Sequence, residues 1–414
     1  MERIMSKQQD NDNLQEERWV RTRHKVLIKL MYLPCLVYTK LRCHAKIDPF
    51  TGDRKRQYLV LYNHQTDYDQ LLLGLSFRFP IYHLAMEDIL SNGRTSDFLR
   101  WAVAPIPIKK QTLDLKAIRQ CIRVAKEGGS VSIAPEGHRT YSGRTCYINP
   151  SIAKLARMIN LPIVLYRIEG GYGMQPRWSN VVRNGPVHSY ASRIIEPEEY
   201  KAMTNDELYQ AICEGLYEDE AKADFSYRHK KTAEYLDRVA YVCPYCGLSR
   251  FEAHDDIIRC TSCGREMRYL PTKELQGVGF KFPFRFVANW VDYQNSFINR
   301  LNPENFLEKP VFRDEISLLH VILYKRKEVL REKASIALYG DRIVIDEGKP
   351  NELLLSFLDS PVTLLGKNRL NIYHEDMVYQ IKGDFHFNAL KYLNFYNRWK
   401  NIHAGTPDAT YLGI

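Results

Sequence analysis

Four cysteines of the 414-residue chain stand as Cys243-Pro-Tyr-Cys246-Gly and Cys260-Thr-Ser-Cys263-Gly, two C-x-x-C pairs separated by thirteen residues. Each pair puts two thiolates on one tight turn, and Gly247 and Gly264 supply the backbone freedom the knuckle needs. The segment between returns the chain so that four sulfurs close a tetrahedron. A redox dithiol is expected singly and beside a βαβ unit, so the set reads as a structural zinc ribbon. A closed four-sulfur site has no open coordination position and by itself implies no reaction. His254, between the pairs, is an alternative ligand that four sulfurs make unnecessary. Cys35, Cys43, Cys121, Cys146 and Cys213 follow no spacing rule, as expected of reduced thiols in a cytosolic protein.

Reaction chemistry is suggested earlier in the chain. Asn63-His64-Gln65-Thr66-Asp67-Tyr68-Asp69 follows an apolar run, 58–62, that reads as a buried strand. On a straight helix His64 and Asp69 would stand about 140° apart, so they meet only if His64 lies in the turn before the helix. Thr66 with Asp69 three residues later resembles a capping box that starts the helix at Asp67. Taken alone, Asp69 is a helix-starting carboxylate and His64 a loop histidine. A second cluster changes the reading: the strand at 130–134 runs into Pro135-Glu136-Gly137-His138-Arg139, where Gly137 permits a sharp turn and Arg139 offers a planar fork for phosphate.

The elements around these clusters alternate. After the strand at 58–62 come a helix at 67–77, a strand at 81–85, helices at 95–103 and 113–127, a strand at 130–134, a helix at 151–159 and a strand at 162–168. That alternation predicts an α/β domain, a mixed sheet flanked by helices, over 57–215. Residues 216–240, dense in charge with helical spacing, read as a helical connector, and the ribbon occupies 241–270. A linker with Phe280, Phe282, Phe284, Phe286 and Trp290 spans 271–310; those rings read as packing between ribbon and C-terminal module, with a membrane-seated patch as the alternative. From 311 to 403 short segments alternate around Gly340-Asp341, Asp359-Ser360-Pro361 and Gly366-Lys367-Asn368 and end in a helix carrying Leu390, Leu393, Tyr396 and Trp399. This antiparallel β module with a C-terminal helix resembles a pleckstrin-homology (PH-like) module. The run Gly170-Gly171-Tyr172-Gly173 reads as a loop closing a strand.

Composition excludes a single small domain and a wholly disordered chain: 45% of residues are hydrophobic and 26% charged, with 22 Gly and 19 Pro. The net charge of +10 suits an anionic partner. Much of it lies in 18–56, where eleven Lys and Arg face two Asp. Within that stretch, 26–38 is apolar but broken by Lys29 and Pro34 and shorter than a membrane span. Behind a polar leader, 1–17, it does not read as a secretory signal. With Trp19, Tyr32 and Tyr38 it reads as a basic amphipathic helix in a membrane interface, or else as one packed on its own domain. In the ribbon Arg250, Arg259, Arg265 and Arg268 are balanced by Glu252, Asp255, Asp256 and Glu266, so no nucleic-acid partner is expected.

Together, Asn63-His64-x4-Asp69 and Pro135-Glu136-Gly137-x-Arg139 resemble the paired motifs of the glycerophospholipid acyltransferases, whose type members acylate 1-acylglycerol-3-phosphate to phosphatidic acid. Ile106-Pro107-Ile108-Lys109-Lys110 resembles the segment bearing a phosphate-binding basic residue. Leu161-Pro162-Ile163-Val164 resembles the proline-bearing strand that lines the acyl site. The resemblance covers roughly residues 20–215. It implies an O-acyltransferase of phospholipid biosynthesis with acyl-CoA or acyl-carrier protein as co-substrate and a lysophospholipid acceptor. It implies His64 as general base with Asp69 behind it, and Arg139, Lys110 and Lys109 on the acceptor phosphate, with Glu136 and Gly137 shaping that loop. Pro162 and Ile163 would line the acyl site. The sequence departs from the family pattern at His138, Thr66 and Lys110, where Thr or Ser, Ser, and Arg are usual. The expected location is cytoplasmic, peripheral on the inner face of the cell membrane. The competing reading is a non-catalytic zinc-ribbon scaffold that binds lipid headgroups, nucleic acid or a protein.

Overall fold

The structure, a computed structural model, describes residues 18–108 and 114–403. Its N-terminal unit is built on a seven-stranded sheet of β1 (Ala45–Ile47), β2 (Leu59–Tyr62), β3 (Ile81–Met86), β4 (Ile106–Ile108), β5 (Ser130–Ile133), β6 (Ile163–Glu169) and β7 (Val187–Ile195), in the order β1-β7-β6-β2-β5-β3-β4. Only the β6/β7 pair is antiparallel; the sheet is mixed, as the alternation predicts. The strands β2 and β5 are buried at every position, which explains their unbroken apolar or small-residue character. Flanking helices include α1 (Thr22–Cys43), α2 (Asp69–Phe77), α3 (Arg94–Val103), α4 (Leu115–Lys126), α5 (Ser151–Ile159) and α6 (Asn205–Leu216).

The helix α1 leaves Leu30, Leu33 and Leu41 more than 60% exposed while His24, Thr39 and Cys43 are buried. No described helix is long and apolar enough to cross a membrane.

The helical connector expected over 216–240 is not helical. It holds one 3-10 turn, Leu236–Arg238, and otherwise runs irregularly. Several of its charges are buried tethers, while Lys222, Asp224, Arg228, Lys230 and Lys231 stay exposed. Buried Glu218 pairs with Arg167 at 2.5 Å and Lys222 at 2.9 Å, and buried Glu220 accepts the backbone N–H groups of Tyr172 and Gly173. A helix would have withdrawn these carboxylates from the groups they satisfy.

The ribbon consists of a small hairpin, β8 (Val242–Cys243) and β9 (Gly247–Leu248), and a four-stranded antiparallel sheet, β10 (Phe251–His254), β11 (Ile257–Cys260), β12 (Glu266–Tyr269) and β13 (Leu275–Gly277). After α7 (Val287–Arg300) comes a seven-stranded antiparallel sheet of β14 (Phe312–His320), β15 (Glu328–Leu338), β16 (Arg342–Ile345), β17 (Leu353–Ser356), β18 (Val362–Leu365), β19 (Arg369–His374) and β20 (Met377–Lys382), ordered β17-β16-β15-β14-β20-β19-β18. The C-terminal helix α8 (Leu390–His403) buries Leu390, Leu393 and Tyr396. The Phe-rich linker packs inward: Phe282 meets the buried Trp290 edge-on at 5.3 Å. Ribbon, α7 and β module share one hydrophobic core, which also takes in Tyr141 and Trp178 of the α/β unit.

Candidate active site

Parallel pairing decides where the two clusters meet. β2 lies between β5 and β6, with Leu61 opposite Ile133 and Tyr62 opposite Tyr166. The segments leaving the C-terminal ends of β2 and β5 therefore emerge side by side, at the edge where open α/β sheets place their ligands. Asn63 fastens the first to β6: its side chain donates to Ile168 O and accepts from Ile168 N, both at 2.8 Å. Glu136 fastens the second to the first, one carboxylate oxygen accepting the His64 N–H at 2.7 Å and the other the Cys146 N–H at 2.6 Å. Gly137 sits at φ +68°, the left-handed turn that lets Arg139 come back toward the site.

His64 Nδ1 lies 2.6 Å from Asp69 Oδ2. Asp69 is fully buried and also accepts the backbone N–H groups of Gln65 at 2.8 Å and Thr66 at 2.9 Å. The capping differs from expectation: α2 begins at Asp69, two residues later than Asp67, and the Thr66 hydroxyl accepts the Tyr68 N–H at 2.7 Å. His64 is thus held in the turn ahead of the helix, the placement its spacing from Asp69 required. With the Nδ1 proton on the Asp69 side, Nε2 carries the lone pair.

Arg139, 8% exposed at its side chain, places Nη1 3.0 Å from Asp67 Oδ1. The other oxygen of Asp67 meets Lys367 Nζ at 3.1 Å. Burial pushes the Asp67 carboxyl up, but Arg139 and Lys367 more than offset this and hold it below the usual carboxylate range. Burial also pushes Glu136 up, to about 8, against the two backbone N–H groups that favour its charged form. Arg177, itself buried, donates to Arg139 O at 2.8 Å and stacks over Tyr141.

His64, Asp69, Glu136, Gly137 and Arg139 are brought together. Pro162 and Ile163 are not: they are buried at the start of β6, where Ile163 pairs with Leu59, at the end of the sheet opposite His64. Lys109 and Lys110 lie outside the described residues. Sequence reasoning missed Asp67, Arg177 and Lys367. Asp67 stood inside the motif and was read only as a helix start; Lys367, in a turn of the distant β module, carried no local signal.

The four ribbon cysteines bring their sulfurs within 4.8 Å of one another, with Cys243 and Cys263 Sγ 3.9 Å apart. Zinc–sulfur bonds of about 2.3 Å in a tetrahedron put sulfurs about 3.8 Å apart, so the set fits a metal ion of that kind. His254 stands in a different group, with Glu234 and His386.

Residues 42–168, which include both clusters, match the family model described as Acyltransferase. That stretch of the chain is an acyltransferase-family domain. Among solved structures the chain is similar to the 1-acyl-sn-glycerophosphate (LPA) acyltransferase PlsC from Thermotoga maritima, at 17% identity over 47% of this chain and 78% of that one, with a TM-score of 0.41. No curated protein matches. The acyltransferase domain is followed, in one chain, by the four-cysteine ribbon and the antiparallel β module.

Proposed function

We propose that the protein transfers a fatty acyl group from an acyl thioester, acyl-CoA or acyl-carrier protein, to the hydroxyl of a lysophospholipid, 1-acylglycerol-3-phosphate foremost, giving phosphatidic acid. The observation that carries this reading is the 2.6 Å contact between His64 and buried Asp69, beside Arg139 at the ends of adjacent parallel strands. A hydroxyl is a poor nucleophile at neutral pH. His64 Nε2 removes its proton as the oxygen attacks the thioester carbonyl, and the imidazolium that forms is stabilised by Asp69. When the tetrahedral intermediate collapses, the carbon–sulfur bond breaks and the His64 imidazolium gives its proton to the departing thiolate, which leaves as the thiol. No covalent intermediate is required.

Arg139 holds the acceptor phosphate and Glu136 holds the loop that presents it. Zinc in the ribbon is structural, with Cys243, Cys246, Cys260 and Cys263 as its ligands. The exposed leucines of α1 among basic residues suit a peripheral seat on an anionic membrane surface, the cytoplasmic inner face being the expected one. The seven-strand order and terminal helix of the β module support a PH-like reading.

The test is transfer of a labelled long-chain acyl group from either thioester to lysophosphatidic acid in detergent micelles. His64→Ala is expected to lose about 10²–10⁴-fold in kcat with zinc content unchanged. Asp69→Asn, which cannot stabilise the imidazolium, is expected to fall within the same range, with KM little altered. Equal rates in wild type and His64→Ala, or no transfer to any lysolipid, would favour the scaffold reading.

A further inference from the structure

The turn Gly366-Lys367-Asn368 between β18 and β19 reaches out of the β module onto the acyltransferase domain. Three contacts fix it there. Gly366 O accepts Arg177 Nε at 3.0 Å, Lys367 O accepts the Tyr141 hydroxyl at 3.4 Å, and Lys367 Nζ meets Asp67 at 3.1 Å. A second, separate anchor holds the same face. Buried Asp88 of the acyltransferase domain pairs with Lys327 and with Arg369 at 3.3 Å, and accepts Gln380 Nε2 at 2.6 Å. The module is therefore docked, and the position of Lys367 is set from both sides.

The local charge is unbalanced. Arg139 and Lys367, 8% and 17% exposed, converge on the single carboxylate of Asp67, which is itself 47% exposed. Two shielded cations facing one anion leave an excess positive charge, and partly buried charge of that kind is costly unless a counter-ion completes it. Donors are also left over. Arg139 Nη1 is buried and near Asp67 Oδ1 but not aligned to hydrogen-bond it. A guanidinium has five N–H groups and an ammonium three, so neither cation is exhausted by one carboxylate. Asp67 lies two residues before Asp69, so this pair of cations stands beside the His64–Asp69 couple.

We infer that the β module completes the acceptor site: Lys367 binds the phosphate of the acceptor together with Arg139, and Asp67 spaces the two cations. The inference rests on the acyltransferase reading given above and names the residue that makes that reaction selective for a phosphate monoester. A phosphate monoester brings the missing negative charge and several acceptor oxygens for the leftover donors. A neutral headgroup would leave the excess positive charge unmatched.

The experiment compares lysophosphatidic acid with monoacylglycerol, which offers the same acyl chain and a hydroxyl but no phosphate. In Lys367→Ala the ratio of kcat/KM for lysophosphatidic acid over monoacylglycerol is expected to fall about 10- to 100-fold, through KM, with partial recovery in Lys367→Arg. Asp88→Asn loosens the second anchor but leaves the cation pair and the contacts of Gly366 and Lys367 with Arg177 and Tyr141 in place, and is expected to lower that ratio far less than Lys367→Ala does. An unchanged ratio in Lys367→Ala, or an equal drop in Asp88→Asn, overturns the inference and makes Lys367 a docking residue only. Equilibrium binding of lysophosphatidic acid is measured in parallel in His64→Ala and His64→Ala/Lys367→Ala. Weaker binding in the double variant supports the phosphate role even if the wild-type protein transfers no acyl group, so the two readings fail separately.

Discussion

Asp69 does three things at once: it accepts from His64 and from the backbone N–H groups of Gln65 and Thr66, so the histidine and the turn that carries it share one anchor. Glu136 is the corresponding anchor of the neighbouring loop, and its burial has a consequence for stability. Its carboxyl is raised from an ordinary 4.5 to about 8, so the folded protein holds this proton more tightly than the unfolded chain does. The associated stability is fully present below pH 4.5 and drains away as pH rises through about 8. Urea midpoints of the wild-type protein are therefore expected to fall between pH 5.5 and 8.5 by more than those of Glu136→Gln. The variant should be less stable at the lower pH, because an amide NH2 replaces an oxygen facing the N–H of His64 or Cys146. Parallel pH profiles for the two proteins would exclude Glu136 as the titrating group.

At the scale of elements, the parallel neighbours β2 and β5 do the positioning, and the ribbon depends on a different device. Its strands are two to four residues long and could not persist on backbone pairing alone. Four sulfurs within 4.8 Å of one another are placed to close on one metal ion, which would supply the missing constraint. Buried Trp290 packs on Phe251 at 5.2 Å and donates to Val242 O at 2.9 Å, next to Cys243, and so reports on it. Stripping one zinc per chain with a strong chelator is expected to shift tryptophan emission to the red and to lower the melting temperature, and Cys260→Ser should reproduce both. A chain that contains no zinc as purified yet melts cooperatively with native emission would rule out the structural role. The element that sequence periodicity misjudged was 216–240, where helical spacing of charges belonged to buried tethers such as Glu218 and Glu220. Periodicity records which residues are charged, and the destination of each charge depends on the surface that packs over it.

The whole molecule is one assembly of the acyltransferase domain, ribbon and β module, joined by a continuous core and by the buried cluster of Asp88, Lys327, Arg369 and Gln380. Removing the Asp88 charge leaves two cations of that cluster unpaired, a change of a few kcal/mol in comparable buried pairs. Asp88→Asn is expected to lower the unfolding midpoint of the whole chain and to make the β module more susceptible to limited proteolysis; an unchanged midpoint would show that the core alone holds the module. By itself the sequence determined the layered α/β class, the four-cysteine ribbon, the antiparallel module and the two clusters bearing His64, Asp69, Glu136 and Arg139, because each is written in short-range spacing. Tertiary structure alone decided that the two clusters are neighbours, that Pro162 and Ile163 lie at the far end of the sheet from His64, and that Lys367 stands opposite Asp67. Those facts follow from strand order and from how separate units pack, and neither leaves a trace in local periodicity. A lysine in a polar turn carries the same local signal whether it faces water or a carboxylate far away in sequence, and only the packed surface distinguishes the two.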